Sequence, residues 1–272
     1  MESSRKEERQ AAVREGNMPK YRRYVFGGYT GYLVDPRFTD TSHDLVSIRH
    51  SSSVSPWSDQ HIHSHGESEE YYLLLEGQLD LIIEDEIWAL KPMEMLMVRR
   101  SIPHGVIGGI GPIKHFVFRA PAAADWQKQH DMPKSYSVPE SQDQREVRKD
   151  WGFRCSLRSQ QNMNCWLTGI GSARNWSTDF LFAYLNYTTY EEANAGIGVR
   201  HKLHLHRSSW EYYAVLEGEK TLQIETDMVC VKAGELLEVP PGVKHFLASR
   251  KAPYRGFTFR VPVLFDKETI PV

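Results

Sequence analysis

The sequence predicts an all-β protein that consists of two tandem barrel or sandwich domains. Short runs rich in tyrosine, valine, phenylalanine and isoleucine, such as EYYLLLEG and FTFRVPV, alternate with glycine, proline, aspartate and serine. Runs of this length and composition form antiparallel strands, and many of them at regular spacing are typical of sandwiches and barrels. A repeat of about half the chain length indicates two such domains.

The repeat centres on two similar segments. Residues 63–77 read HSHGESEEYYLLLEG, and residues 204–218 read HLHRSSWEYYAVLEG. The first histidines are 141 positions apart (204 − 63 = 141), and the same offset relates four further pairs: His65 and His206, Glu70 and Glu211, Gly77 and Gly218, and His104 and His245. The phrase FxFRxP also recurs at this offset. A constant offset indicates a duplication without net insertion between these landmarks, so the two domains should be equivalent.

Changes in composition along the sequence divide the chain into four segments. Its beginning, MESSRKEERQAAVREGN, is polar, and a later stretch is polar and punctuated by proline. We therefore predict a polar N-terminal tail at residues 1–17, a first β domain at 18–121, a connector at 122–150 and a second β domain at 151–272. We also expect a helical turn near residues 122–129 and a short C-terminal tail with the sequence DKETIPV.

Composition excludes several classes of function. The net charge of −2 gives no support for binding to nucleic acid or to a membrane surface. No apolar run approaches the roughly 20 residues that a membrane span needs, and the charged N-terminus lacks the apolar core of a secretory signal. Three cysteines, none in a CxxC pattern, are typical of reduced thiols. We therefore expect a cytoplasmic protein.

The repeated histidines and glutamates predict one metal site in each domain. Residues i and i+2 of a strand point to the same face, so His63 and His65 project together. Glu70 follows in the next strand, and His104 comes from a strand about two hairpins later. The equivalent set in the second copy is His204, His206, Glu211 and His245. Three imidazoles and a carboxylate suit divalent Fe, Mn, Ni, Cu or Zn.

These histidines have two other interpretations. Most single histidines are hydrogen-bonded residues of the core or surface, but six of the twelve histidines fall on the repeated motif positions. Matching glutamates and glycines in both copies therefore favour metal sites. The second interpretation is that one of the two copies is a vestigial, structural metal site.

Strand parity also predicts which tyrosines face the interior. Tyr72 and Tyr213 stand two residues after Glu70 and Glu211, so they should share their inward direction. They are the predicted catalytic residues, since their hydroxyls could hydrogen-bond a substrate or a metal-bound ligand. The alternative is a packed tyrosine whose hydroxyl is satisfied within the barrel.

Further charged residues recur at equivalent positions. His61 and Lys202 share the parity of the two HxH pairs and are expected at the rims of the barrels. Arg119 and Arg260 end the two FxFR phrases. If these arginines face the cavity, they could bind a carboxylate substrate through two parallel hydrogen bonds; the alternative is a structural salt bridge.

The spacing of these residues resembles the cupin superfamily. HxH is followed by four residues, Glu, six residues and Gly, and a distant PxGxxH completes the second copy. Two copies resemble a two-domain, or bicupin, protein. The resemblance implies two tandem cupin barrels of the double-stranded β-helix, or jelly-roll, type. It also implies one divalent metal ion per domain, with Fe(II) favoured and Mn, Zn, Ni or Cu as alternatives.

The two copies fit the cupin pattern unequally. The second copy has Gly198 before its first histidine, and Gly234, Pro240 and Gly242 before its last one. In the first copy, the corresponding glycine, glycine, proline and glycine are replaced by Trp57, Met93, Arg99 and Ser101. These departures concern turns and leave the four ligand positions intact. We therefore expect the second site to be the better metal site and the more active one.

The resemblance implies a metal-dependent enzyme and leaves its reaction open, because cupins host many unrelated activities. The first hypothesis is a dioxygenase-type oxidoreductase that acts on a small organic substrate. The second is a non-redox decarboxylase, isomerase or hydrolase that uses its metal as a Lewis acid. The third is a non-catalytic bicupin that binds a small ligand such as a sugar. By analogy with bicupins, we expect a homodimer.

Overall fold

The computed structural model describes residues 19–39, 41, 43–55, 58–59, 61–138, 147–156, 164–166, 184–190, 202–262 and 264–271. Over these residues the chain forms strands, turns and loops, with no helix, so the all-β prediction is confirmed. The predicted polar tail at residues 1–17 lies outside the described residues.

Nineteen strands are assigned in the described part of the chain. In order they are β1 (Arg22–Val25), β2 (Gly31–Val34), β3 (Ser47–Ser53), β4 (His61–His65), β5 (Glu69–Ile83), β6 (Glu86–Leu90), β7 (Glu94–Val98), β8 (His104–Ala120), β9 (Trp126–Asp131), β10 (Val147–Lys149), β11 (Gly152–Ser156), β12 (Asn164–Trp166), β13 (Tyr184–Tyr190), β14 (His204–His206), β15 (Trp210–Ile224), β16 (Asp227–Lys232), β17 (Glu235–Val239), β18 (His245–Val261) and β19 (Lys267–Thr269).

The strands form two compact units, as the repeat predicts. Of the described residues, those within 28–160 form the N-terminal barrel, and those within 1–27 and 161–272 form the C-terminal barrel. The N-terminal sheet has the order β10-β11-β7-β5-β8-β3-β2, with β4 beside β8 and β9, and β6 beside β5. The C-terminal sheet has the order β1-β17-β15-β18-β13-β12, with β14 beside β18 and β19, and β16 beside β15.

The long strands β5 and β15 place the predicted inward residues. Alternate side chains of β5, including Tyr72 and Leu74, belong to the buried core of the N-terminal barrel, as Tyr213 and Val215 do in the C-terminal one. Both strands shift register against β8 or β18 beside the glycine that ends the repeated motif. At Gly77, φ is +82° and a Cβ atom would collide with the carbonyl of Pro112, so only glycine fits there.

The observed boundaries differ from the predicted domains at two strands. β11, expected in the second domain, pairs with β7 of the N-terminal barrel, whereas β1, expected in the first, pairs with β17 of the C-terminal barrel. Buried contacts anchor β11: Arg154 Nη2 lies 2.9 Å from Glu94 Oε2, and the ring of Trp151, beside the strand, packs on Trp88. Each barrel thus takes a strand from the segment that precedes the other domain. Local pattern predicts a strand but not its pairing partner.

Two further expectations were wrong. Instead of a helical turn near residues 122–129, the connector contains β9, which pairs with β4. Instead of a free C-terminal tail, residues 267–269 form β19, which pairs with β14 in the equivalent way. All of the side chains of β9 are exposed, so it lacks the apolar alternation that marks a strand. Backbone hydrogen bonds to the edge of β4 hold it in place.

Candidate metal centres and substrate cavity

The first predicted ligand set converges inside the N-terminal barrel. His63 and His65 come from β4, Glu70 from β5 and His104 from β8, and one nitrogen or oxygen of each lies within 4.8 Å of the others. Glu70 Oε2 lies 2.8 Å from His104 Nε2 and 3.6 Å from the Nε2 atoms of His63 and His65. All four side chains are buried. This compact set of nitrogen and oxygen donors suits a divalent transition metal.

The second nitrogen of each ring orients these imidazoles. The contacts of the Nδ1 atoms are as follows: His63 to the carbonyl of His61 at 3.5 Å, His104 to the carbonyl of Ile102 at 2.8 Å, and His65 to Asp125 Oδ1 at 3.1 Å. An Nδ1–H that donates to an acceptor leaves Nε2 with a lone pair directed at the cluster. His65 Nε2 is buried and has no hydrogen-bond partner among the described residues. A divalent ion would satisfy that atom, so the residues fit the implied metal.

Glu70 is the anionic member of the cluster. Burial alone would raise the pKa of its carboxyl group, but the charges and hydrogen bonds of the three histidines hold that pKa well below its usual range. The Tyr72 hydroxyl donates a 2.7 Å hydrogen bond to Glu70 Oε2. Burial, together with the charge of Glu70, raises the pKa of the Tyr72 hydroxyl well above its usual value. The predicted catalytic tyrosine is therefore a neutral donor that holds the ligand carboxylate.

The C-terminal barrel repeats this arrangement. Glu211 Oε2 lies 2.7 Å from His245 Nε2, 3.3 Å from His206 Nε2 and 3.9 Å from His204 Nε2. The Nδ1 atoms lie near the carbonyl of Lys202 for His204 (2.9 Å), the carbonyl of Val243 for His245 (2.9 Å), and Asp266 Oδ1 for His206 (3.2 Å). The Tyr213 hydroxyl donates to Glu211 Oε2 at 2.7 Å. Each barrel thus carries a cluster of three histidines and one glutamate that can hold a divalent ion.

The sequence reasoning missed a pair of aspartates that support both clusters. Asp125 Oδ1 contacts His65 Nδ1, while its Oδ2 accepts the backbone N–H groups of Glu67 and Ser68 at 2.8 and 2.7 Å. Asp266 makes equivalent contacts in the other barrel. The signal was present, because each aspartate follows its FxFRxP phrase by four positions and the two share the common offset (266 − 125 = 141).

The turn residues of the first copy that differ from the cupin pattern keep the backbone conformation seen in the second copy. Met93 and Ser101 have φ of 63°, in the left-handed region that Gly234 and Gly242 occupy at φ of 86° and 80°. Ser101 N–H donates to the carbonyl of His65 at 2.7 Å, as Gly242 N–H does to that of His206. The approach of His104 is therefore preserved, at a cost in backbone strain. Trp57 and Gly198 lie outside the described residues.

A cavity of about 170 Å³ opens onto the N-terminal cluster. Its wall includes the ligands His63, His65 and Glu70, together with Tyr32, Ser47, Arg49, Asp59, Tyr72, Val106, Val117, Arg119 and Trp126. Asp59 was not predicted; its Oδ2 accepts the N–H of Val106 at 2.7 Å, and burial raises the pKa of its carboxyl group. His61, expected at the rim, is partly exposed and its Nδ1 lies 3.4 Å from Asp131 Oδ1.

Equivalent interior positions of the C-terminal barrel carry different residues. Lys220 stands where the first copy has Leu79. Its buried ammonium lies 4.0 Å from the centroid of the Tyr213 ring and 3.4 Å from Thr258 Oγ1. Burial lowers the pKa of this ammonium group well below its usual value. Lys267 takes the position of Trp126. The surroundings of the two clusters are therefore chemically distinct.

Comparisons with known proteins agree with this architecture. Residues 195–253 match the family model of the cupin domain. The structure resembles a salicylate 1,2-dioxygenase from Pseudaminobacter salicylatoxidans, with a TM-score of 0.63 and 7% identity over 93% of this chain and 91% of that chain. The chain has the two-barrel fold of the cupin superfamily. The bicupin fold that the sequence predicts is confirmed.

Other solved bicupin structures show how widely the chemistry of this fold varies. A deletion mutant of oxalate decarboxylase from Bacillus subtilis has a TM-score of 0.60 and 13% identity over 91% of this chain and 79% of that chain. A gentisate adduct of the salicylate dioxygenase has a TM-score of 0.61 and 9% identity over 93% and 85% of the two chains. A search of curated protein sequences gives no significant match. At these identities the likeness establishes the fold and not the reaction.

The described residues contain no helix that is long and apolar enough to cross a membrane.

Proposed function

We propose that this two-barrel protein is a metal-dependent enzyme that acts on a small organic substrate by dioxygenase-type oxidation with Fe(II). We place the reaction in the N-terminal barrel, and not in the C-terminal barrel that the turn residues of the sequence favoured. The observation that carries the proposal is the cavity of about 170 Å³, which the N-terminal cluster, two arginines and a tryptophan line together. A cavity beside a set of candidate ligands is where substrate and metal can meet.

The residues of the chain have distinct roles in this proposal. His63, His65 and His104 would hold the ion through Nε2, while Glu70 would offset one of its two positive charges. When bound, Fe(II) supplies the one-electron chemistry that reactions with dioxygen require. Tyr72 fixes the Glu70 carboxylate through its 2.7 Å hydrogen bond. Val106 and Val117 give the cavity an apolar wall that limits the access of water.

The structural neighbours support a small organic acid as substrate. The similar structures include three of a salicylate 1,2-dioxygenase, two of which contain gentisate. Another is an oxalate decarboxylase. Salicylate, gentisate and oxalate all carry a carboxylate group.

The test is a measurement of metal content followed by oxygen uptake. Protein purified without added metal should contain iron, and iron-loaded protein should consume oxygen with small aromatic hydroxy acids and lose turnover anaerobically. The double variant His63→Ala, His65→Ala should lose one metal equivalent per chain and most activity. Its matched control, His204→Ala with His206→Ala, should lose one equivalent and retain more activity. Greater damage from the C-terminal pair would place the reaction in the other barrel.

Asp59 supports non-redox decarboxylation as a second candidate. It lies in the cavity wall, and burial raises the pKa of its carboxyl group, so it can retain a proton close to the cluster. In such a reaction the bond between the substrate carbon and its carboxylate breaks, carbon dioxide leaves, and the proton of Asp59 passes to the carbanion. Turnover with Mn(II) under anaerobic conditions, abolished by Asp59→Asn, would favour this candidate over the dioxygenase.

A further inference from the structure

Arg119 and Arg260 occupy the same place in the two copies of FxFRxP but have different surroundings. Arg260 Nη1 lies 3.0 Å from His206 Nδ1 and 3.7 Å from Asp266 Oδ1, so this arginine contacts a candidate ligand of its own cluster and the aspartate that supports it. Arg119 is buried, with 7% of its surface exposed, and its Nε and Nη2 atoms have no hydrogen-bond partner among the described residues. One repeated residue thus has two different environments.

The carboxylate nearest to Arg119 is already engaged. Asp35 Oδ2 lies 4.0 Å from Arg119 Nη2, beyond hydrogen-bond distance. The same oxygen accepts hydrogen bonds from Ser47 Oγ at 2.7 Å and from Arg37 Nη2 at 2.8 Å, and Asp35 Oδ1 accepts two more from Arg37. Asp35 therefore partly offsets the charge of Arg119 without satisfying its donors. Buried guanidinium donors without partners are costly, so the site is suited to receive an anionic group.

The position of Arg119 directs these donors into the substrate cavity. Glu70 and Arg119 are direct partners in the pairing of β5 with β8, so their side chains leave the same face of the sheet at the same level. Both line the cavity. An anion held by Arg119 therefore lies within the same small space as the candidate metal ligands, where it could orient a substrate for reaction.

The rest of the cavity suits a flat, apolar body. The Trp126 ring is stacked against His63, with centroids 5.8 Å apart, and it faces a cavity whose wall also includes Val106 and Val117. A cavity of about 150 Å³ is large enough for one benzene ring, and this one measures about 170 Å³. The space therefore accepts a single-ring compound or a smaller acid.

We infer that Arg119 binds the carboxylate of a small organic acid, preferentially a single-ring aromatic acid, and that only the N-terminal barrel takes this substrate. The inference rests on the proposed function of the N-terminal cavity. The planar guanidinium matches the two oxygens of a carboxylate with parallel hydrogen bonds. In the C-terminal barrel, Arg260 contacts His206, and a lysine replaces the tryptophan of the wall. The environment of each arginine therefore decides which of the two binds substrate.

The test is a binding titration that needs no turnover. Benzoate and its neutral analogue benzamide are titrated calorimetrically into metal-loaded, full-length protein under anaerobic conditions. We expect one benzoate per chain, a loss of affinity of at least tenfold in Arg119→Gln, and no change in the weaker binding of benzamide. The matched variant Arg260→Gln should bind benzoate as the wild type does.

Three results would overturn the inference. The first is absence of benzoate binding to the wild type, and the second is wild-type affinity in Arg119→Gln. The third is an equal loss in Arg260→Gln. If Arg119→Gln does not fold, Arg119→Lys keeps the charge without the planar donor pair, and unaltered benzoate affinity in that variant would refute bidentate binding. Inorganic phosphate that binds through Arg119 while benzoate does not would show that the anion is not a carboxylate.

This experiment is separate from the test of the reaction. Benzoate binding that depends on Arg119, without oxygen uptake, would leave the carboxylate site standing and remove the dioxygenase. Oxygen uptake by a protein that does not bind benzoate would leave the enzyme standing and remove the role of Arg119.

Discussion

Asp125 offers a sensitive test of the N-terminal metal site, because it orients a candidate ligand without touching the metal position. It accepts hydrogen bonds from His65 Nδ1 at 3.1 Å and from two backbone N–H groups at 2.8 and 2.7 Å. In Asp125→Asn the amide keeps one acceptor oxygen, and its NH₂ group opposes one of these donors. The ring of His65 then loses its preferred tautomer and its anionic partner.

The expected loss of metal affinity in Asp125→Asn follows from the role of carboxylates that hold ligating histidines. Loss of a carboxylate that holds a ligating histidine typically weakens metal binding by about 10- to 100-fold, which corresponds to about 1.4–2.7 kcal/mol. This is of the order of one hydrogen bond to a charged group, about 1.5–3 kcal/mol. Of these hydrogen bonds, only the one from His65 involves a candidate ligand, so we expect the loss of metal affinity in Asp125→Asn to fall within this range.

The assay is a titration with Zn(II) or Co(II) against a competing chelator. It uses the background His204→Ala, His206→Ala, so that only the N-terminal site reports. Asp131→Asn is the control, because this aspartate lies on the same strand β9 and its side chain is 82% exposed. Unchanged metal affinity in a folded Asp125→Asn variant would refute the orienting role. An equal loss in Asp131→Asn would show that the effect is general electrostatics.

Three further substitutions give separate tests. Tyr72→Phe removes the 2.7 Å bond to Glu70, and metal affinity measured by chelator competition should fall about tenfold, as expected for loss of one charge-assisted bond; an unchanged affinity with a lost kcat would make Tyr72 catalytic instead. Ser101→Gly relieves a φ of 63° and should stabilise the protein to denaturant by about 0.5–1 kcal/mol, whereas destabilisation would show that the hydroxyl has a role. Lys220→Leu, which introduces the residue found at position 79, should stabilise the fold by about 1–3 kcal/mol at pH 7. Burial lowers the pKa of Lys220 in the folded protein, so the unfolded chain binds more protons and the free energy of unfolding of the wild type rises with pH. The stability advantage of Lys220→Leu should therefore shrink towards pH 10. An equal advantage at pH 7 and pH 10 would contradict the argument.

Much of the candidate site follows from the sequence because strand parity is a local property. His63 and His65 share a face whatever the strand pairs with, and Tyr72 shares the face of Glu70. Because the repeat has a constant offset, each site residue assigned in the first copy identifies its equivalent in the second copy. The structure brings each predicted set of four side chains together, and it bonds the predicted tyrosines to the glutamates of both sets.

The pairing of strands depended on the tertiary structure. The pattern of Gly152–Ser156 predicts a strand, but its place beside Glu94–Val98 depends on contacts far away in the chain, such as the buried pair of Arg154 and Glu94. β9 and β19 are polar edge strands held by backbone hydrogen bonds, which leave no periodic trace in the side chains.

The sequence by itself determined the all-β class, the duplication and the two ligand sets, since these depend on residue type, spacing and parity. It could not distinguish Arg119 from Arg260, because the two arginines occupy the same position in the two copies of the six-residue phrase FxFRxP. Only the tertiary structure placed one beside an already engaged Asp35 in a cavity and the other against His206. The physical reason is that a side chain's partners come from strands distant in sequence, so identical local motifs acquire different electrostatic environments when the chain folds.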